Sequence, residues 1–226
     1  VVTLSPPDAG RPVEPRTRVL VIDDHPLFRK GVADLIDMAP SLELVGEAAD
    51  GASGIRVAQV TEPDLILLDL NMKGLDGIAT LKRLRELDLD ARVVVLTVSD
   101  SEEDVVAALR AGADGYLLKD MEPEEILAGL ERVTQGRLVM SERLTELIAR
   151  ALREEPRPTR VGEAGLTPRE EEILGLLEKG CSNKLIARDL DLSVGTVKVH
   201  VKHILKKLRL KTRVEAAVWA VHSRGA

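Results

Sequence analysis

The sequence predicts a doubly wound α/β domain around a five-stranded parallel sheet, followed by an all-α domain of four helices. Three observations predict it. Five short apolar runs alternate with amphipathic segments as far as residue 135. A polar stretch, Glu154-Glu155-Pro156-Arg157-Pro158-Thr159-Arg160-Val161-Gly162-Glu163-Ala164-Gly165, then interrupts with little to bury. Charge changes sign across it.

The strands come first. Val19–Ile22, Leu65–Leu68, Val93–Leu96 and Tyr116–Leu118 are nearly continuous apolar runs, as parallel strands covered on both faces should be. Leu42–Val45 alternates instead, which suits an edge strand. Helical segments fall at roughly 26–39, 52–60, 76–87, 102–111 and 123–135, with Ser101-Glu102-Glu103-Asp104 as a capping signal. A further helix is expected near 141–153.

Four helices follow the polar stretch. Thr167-Pro168-Arg169-Glu170 gives a cap, a proline at the first helical position and the glutamate that closes the box, and Gly180 ends the helix. Asn183 to Leu190 forms a short second helix. Ser193 caps a third, whose apolar stripe is Val197, Val201, Ile204, Leu205 and Leu208. Thr212-Arg213-Val214-Glu215 caps a fourth that reaches His222. The expected division is a tail at 1–17, an α/β domain at 18–138, a linker helix and loop at 139–165, and a helical domain at 166–226.

Composition narrows the function. The 226 residues carry 32 basic and 38 acidic side chains, a net charge of −6. Residues 166–226 hold 12 of the basic and 7 of the acidic groups, or +5; the remaining 20 and 31 give residues 1–165 a charge of −11. The single cysteine, Cys181, excludes an internal disulfide framework and fits a reducing cytoplasm. Only Phe28, Tyr116 and Trp219 are aromatic, which argues against stacking of single-stranded bases. No apolar run approaches the ~18 residues of a membrane span, and Val1 to Arg18 lacks the apolar core of a secretory signal.

In such sheets the working crevice lies beyond the carboxyl ends of the strands. Asp23 and Asp24 emerge there after the first strand, Asp69 after the third, Thr97 after the fourth and Lys119 after the fifth. Three converging carboxylates repel one another unless a cation sits among them. Mg²⁺ suits a few carboxylates while keeping waters for a phosphate. A carboxylate can also attack phosphorus and form an acyl phosphate; Lys119 and the Thr97 hydroxyl would then steady the phosphoryl oxygens. Taken singly, each Asp reads as a helix cap and Lys119 as a surface lysine; five suitable residues at strand ends outweigh that.

These stretches, Val21-Ile22-Asp23-Asp24, Leu67-Leu68-Asp69-Leu70-Asn71-Met72, Leu96-Thr97 and Gly112 through Lys119, resemble the flavodoxin-like receiver domain of two-component response regulators. The resemblance implies strand order 2-1-3-4-5 and Asp69 as phosphoacceptor from a sensor histidine kinase. It implies Asp24, Asp69 and the Asn71 backbone carbonyl as direct Mg²⁺ ligands, with Asp23 acting through water. Lys119 would hold the phosphoryl group, Thr97 would be the switch hydroxyl and Tyr116 the aromatic that follows it. Receivers commonly carry Pro where Lys73 stands, and many carry Pro where Asp120 stands.

The third helix of the basic part is the candidate reading head. From Ser193 to Arg213 there are seven Lys/Arg, two His and no acid. Lys198, Val199 and Lys202 point away from the apolar stripe, where a recognition helix meets base edges. Lys184, Arg188, Thr196, Lys206, Lys207, Arg209 and Lys211 are candidates for phosphates of double-stranded DNA. The segment resembles the LuxR/FixJ-type helix-turn-helix through Leu166–Glu170, Asn183–Ala187 and Thr196–Val201, with Gly195 where the family often has Ser or Glu.

End to end, over about 18–221, the chain resembles the NarL/FixJ family of response regulators. That likeness implies a receiver packed on the recognition helix until phosphorylated, and a nitrate- or nitrite-linked stimulus. It also implies a homodimer through the last helix, with Val214, Ala217, Val218 and Val221 as seam candidates, and no membrane partner. RNA polymerase is a further candidate partner. Two other readings stand beside this one: a constitutive DNA-binding protein with a silent receiver, and an aspartate-nucleophile phosphatase. The second needs an Asp two residues after the nucleophile as general acid; Asn71 stands there, so slow self-dephosphorylation is the only turnover expected.

Overall fold

The computed structural model describes residues 16–87, 89–99, 101–134 and 164–224. The expected tail and the expected helix near 141–153 lie outside them, apart from residues 16 and 17. Five parallel strands, β1 (Thr17–Ile22), β2 (Leu42–Ala48), β3 (Leu65–Leu68), β4 (Arg92–Thr97) and β5 (Gly115–Leu118), lie in the order β2-β1-β3-β4-β5. Five helices connect and cover them: α1 (Pro26–Met38), α2 (Gly51–Thr61), α3 (Gly77–Glu86), α4 (Glu102–Ala111) and α5 (Pro123–Thr134).

The burial pattern explains the architecture. β3 and β4 are buried at every position, because helices cover both faces of the sheet. Val19, Val21, Leu65 and Leu67 face α1 and α5, while Leu20, Ile22, Ile66 and Leu68 face α2, α3 and α4. The edge strand β2 runs three residues beyond the apolar signal. Its register against β1 slips at Val45, so that Val19 pairs with Leu44 but Leu20 with Gly46. Gly46 is needed at that point, since a Cβ there would lie 2.6 Å from Val57 Cγ1.

The second part holds α6 (Pro168–Glu178), α7 (Asn183–Asp189), α8 (Val194–Leu208) and α9 (Arg213–Arg224). Every expected cap is made. The Thr167 hydroxyl accepts from the Glu170 backbone N–H while the Glu170 carboxylate accepts from that of Thr167. Ser193 accepts from the Thr196 N–H, and Thr212 and Glu215 exchange the same pair of bonds at α9. Val197, Ile204 and Leu208 of the α8 stripe are fully buried against α6 and α7, as the period required.

α9 corrects one expectation. Of the four seam candidates, Val214, Ala217 and Val218 are buried and only Val221 is exposed. α9 packs mainly on α6, so its apolar stripe closes the core of its own part. The apolar period was legible; the body that covers it was not.

Candidate functional site

Sheet hydrogen bonding runs past the strand ends and sets the acidic pocket. The Asp23 N–H donates to Ala48 O (3.0 Å), the Asp69 N–H to Ile22 O (2.9 Å) and the Lys119 N–H to Thr97 O (2.9 Å). Residues distant in sequence are thereby held at one edge of the sheet. α3 starts unusually close to the loop after β3: a Cβ on Gly77 would lie 2.4 Å from both Asp69 O and Leu70 Cα.

Asp23, Asp69, Thr97 and Tyr116 are buried, and Lys119 is nearly so. Lys119 Nζ lies 2.7 Å from Asp69 Oδ2 and 2.7 Å from Asp23 Oδ2, over the Phe28 ring at 4.6 Å from its centre. The Thr97 hydroxyl accepts from Asn71 Nδ2 at 3.3 Å. The Tyr116 hydroxyl donates to Ser99 O at 2.8 Å, on the segment that follows Thr97. The five strand-end residues therefore do converge.

The pocket contains a nitrogen donor that strand-end reasoning missed. His25 Nδ1 lies 2.9 Å from Asp24 Oδ1, 3.5 Å from Asp23 Oδ1 and 3.8 Å from Asp69 Oδ2. One ligand atom from each of these four residues falls within 4.8 Å of the others. Asp24 Oδ1 is buried without a hydrogen-bond partner, while Asp24 Oδ2 accepts from the Lys73 N–H at 3.1 Å. A carboxylate oxygen with only the His25 ring beside it, among the oxygens of Asp23 and Asp69, fits a hard divalent cation. Arg29 was also missed: its guanidinium donates to Asp23 O (2.6 Å) and to Glu47 (3.2 Å), pinning the loop after β1. The position of His25 directly after the Asp pair was the available signal.

On α8, Val199, Lys202, His203 and Lys206 are exposed and Lys198 is half-buried. Thr196, Arg188, Arg209 and Lys211 are exposed as well, with Arg188 paired to Asp189 at 3.3 Å and Thr196 bonded to Ser193. Lys207 departs from its expected role. Its Nζ lies 2.6 Å from Glu170 Oε2 and donates to Gly165 O at 3.0 Å, so it ties α8 to the start of α6. Burial acts to raise the Glu170 carboxyl, but Lys207 and the Thr167 N–H outweigh it and hold the group below its ordinary value.

The two parts touch at the amino-terminal ends of the strands, opposite the acidic pocket. Asp64 before β3 pairs with Lys184, Asp90 accepts from Asn183 Nδ2 at 3.1 Å, and Arg92 donates to Gly180 O at 2.6 Å. Arg213 donates to Cys181 O and stands 3.9 Å from Asp114. The contact thus engages residues 180–184 and the start of α9 and leaves Val199 and Lys202 open; the resemblance had implied cover over the recognition helix. Asp114 also pairs with Arg85.

Residues 19–131 match the model of the response regulator receiver domain, and residues 164–220 that of bacterial regulatory proteins of the luxR family. The chain is 56% identical over 211 residues to the nitrate/nitrite response regulator protein NarL of Escherichia coli K12, covering 93% of this chain and 97% of that protein. It is 44% identical to the nitrate/nitrite response regulator protein NarP of the same organism, over 92% of this chain and 96% of that one. A solved LuxR-family two-component response regulator from Aurantimonas superposes with a TM-score of 0.55 at 34% identity, covering 62% of this chain and 99% of that chain. No helix among the described residues is long and apolar enough to cross a membrane.

Proposed function

Because the chain belongs to the two-component response regulators that join a receiver to a LuxR-type DNA-binding domain, we propose that phosphorylation of Asp69 by a sensor histidine kinase switches its binding to double-stranded DNA. We take the receiver to span 18–138 and the DNA-binding domain 166–226. The likeness to NarL and NarP supports nitrate or nitrite as the stimulus read by the kinase.

The observation that carries this reading is the pocket. Asp69 is a buried carboxylate of the kind that can attack phosphorus, and most of the remaining work is positioning and charge neutralisation. Lys119 Nζ, already 2.7 Å from Asp69 Oδ2, is placed to follow the new negative charge. Asp23, Asp24, Asp69 and the Asn71 carbonyl would hold Mg²⁺, which supplies charge neutralisation for the phosphoryl oxygens when bound. Thr97 would leave Asn71 to donate to the phosphoryl group, and the Tyr116 bond to Ser99 would carry that movement to Ser99. Asn71 cannot serve as a general acid, so the chain is a phosphoacceptor with slow self-dephosphorylation and not a phosphatase.

In the arrangement seen, the DNA-phosphate candidate Lys184 is held by Asp64 of the receiver. DNA cannot use that lysine until the contact opens. Freed, the reading head would present Lys198, Val199 and Lys202 to base edges and Thr196, Lys206, Arg209 and Lys211 to phosphates, in the cytoplasm and as a homodimer. RNA polymerase is the partner such a regulator would engage next. The test is salt-dependent duplex binding with and without Mg²⁺ and a small phosphodonor, with Asp69→Asn as control. Tighter binding on phosphorylation, absent in the variant, is expected; equal binding in every condition overturns the switch.

A further inference from the structure

A cavity of about 270 Å³ lies between the two parts, far from the acidic pocket. The receiver supplies Asp90, Arg92 and Arg110 to its wall; the DNA-binding part supplies Asn183, Lys211 and Arg213. Five cationic side chains line it in all, against the carboxylates of Asp90 and Asp114. Asp114 is already engaged by Arg85 and by the Val93 N–H at 2.8 Å. Arg110 and Lys211 are exposed at the cavity, and neither side chain has a carboxylate partner among the described residues. At Arg110 and Lys211 the wall therefore carries positive charge that no carboxylate among the described residues pairs with.

The polar atoms are more selective than the charge. Asp90 Oδ2 and Asn183 Oδ1 are both buried without a hydrogen-bond partner, although the two residues bond through their other atoms. Unpaired buried acceptors ask for a donor, and each left so costs ~1–3 kcal/mol. An anion carrying its own proton satisfies both demands: its oxygens meet the guanidinium and ammonium groups, and its hydroxyl donates to the carboxylate. Phosphate keeps a proton at neutral pH; sulfate does not.

We propose that this crevice is a binding site for a protonated phosphate group, held by Arg92, Arg110, Lys211 and Arg213 and selected by Asp90. Burial first, then the neighbouring Arg213 charge, brings the Arg92 guanidinium down to about 10, against the opposing pull of Asp114 and Asp90. Contacts from both parts make the occupied site a clasp across the interface, so ligand and joined arrangement stabilise each other. The site is separate from phosphorylation at Asp69 and does not depend on that reading.

The test is calorimetric titration of the full chain with inorganic phosphate, glycerol phosphate and sulfate, in chelator and at matched ionic strength. Saturable binding of inorganic phosphate, or of the ester at pH 6 where about half of it keeps its proton, at least about tenfold tighter than sulfate, is expected, because a built acceptor rejects a ligand that lacks the proton. The tighter of the two phosphates tells free phosphate from a phosphorylated small molecule. Arg110→Ser should weaken binding several-fold. Asp90→Asn puts an amide donor in place of the acceptor and should bring phosphate and sulfate to similar affinity. Asp69→Asn should bind as the wild type does. Absence of saturable binding, sulfate equal to phosphate in the wild type, or indifference to both Arg110→Ser and Asp90→Asn (as for an anion on the DNA-reading face) overturns the site.

Discussion

The Lys119 ammonium stands 2.7 Å from Asp69 Oδ2 and is shared with Asp23, all three side chains being shielded from water. Two buried carboxylates lean on one cation. Removing it leaves uncompensated charge in a poorly hydrated site, which costs ~3–5 kcal/mol where the partners are fully buried. Lys119→Met is therefore expected to lower the stability of the metal-free protein by about that amount. Mg²⁺ should restore more stability to the variant than to the wild type, as the surviving carboxylates recruit the ion. Chemical denaturation with and without Mg²⁺ measures both; an unchanged midpoint without Mg²⁺ would show that Lys119 does not neutralise the pair.

A third buried carboxylate sets an acid limit. Burial alone would raise the Asp114 carboxyl, but the charges of Arg85, Arg213 and Arg92 together pull it below its ordinary value of 3.8. A folded-state value below the unfolded one gives stability that is fully present above the unfolded value and drains away as pH falls through the folded one. Asp114→Asn should thus cost about 2–3 kcal/mol at neutral pH, less than a fully buried pair because Arg85 keeps some exposure. The gap from wild type should stay level down to about pH 4 and close below it. Urea unfolding from pH 3 to 7 checks this, and a gap constant to pH 3 would refute the assignment.

What was legible follows from locality. Apolar runs gave the strands, the residues after them gave the pocket, and the caps at Thr167, Ser193 and Thr212 gave the helix starts, since each signal spans only a few residues. What was missed is non-local. Lys207 flanks the α8 stripe as if outward, yet reaches Glu170, 37 positions away. Arg92 opens β4 as a charged residue and is nevertheless buried, because it serves Gly180, 88 positions away. Nothing in the α9 stripe says whether α6 or another subunit will cover it. The extra length of β2 was hidden for a different reason: Gly46 breaks the alternation where the bulge resets it.

That correction at Lys207 changes what its loss should do. A lysine free to meet phosphates would flatten the salt dependence of DNA binding by about one unit when removed. Bound to Glu170 and Gly165, Lys207 should leave the slope nearly unchanged, and Lys207→Ala should instead destabilise the DNA-binding part by up to ~1 kcal/mol, the range for a partly exposed pair. The exposed Lys206 should behave in the opposite way, lowering the slope without moving the unfolding midpoint. Paired salt titrations and thermal melts of the two alanine variants decide it. A reduced slope for Lys207→Ala would return it to the phosphate contacts.

The Asp64–Lys184 pair bears on the switch itself. Both groups are partly exposed, 30% and 60% for their side chains, so the pair is worth only ~0.2–1 kcal/mol. Asp64→Asn should therefore raise the DNA affinity of the unphosphorylated protein by no more than about fivefold. Phosphorylated protein, with the contact already open, should bind alike with either residue. Lys184→Ala should weaken both forms, since the lysine is lost to DNA as well as to Asp64, and the double variant should match Lys184→Ala alone in the unphosphorylated state. Duplex binding in all four proteins, with and without phosphodonor, forms the complete cycle. If Asp64→Asn strengthens the phosphorylated form as much as the unphosphorylated one, Asp64 acts as a general surface charge and does not hold the reading head.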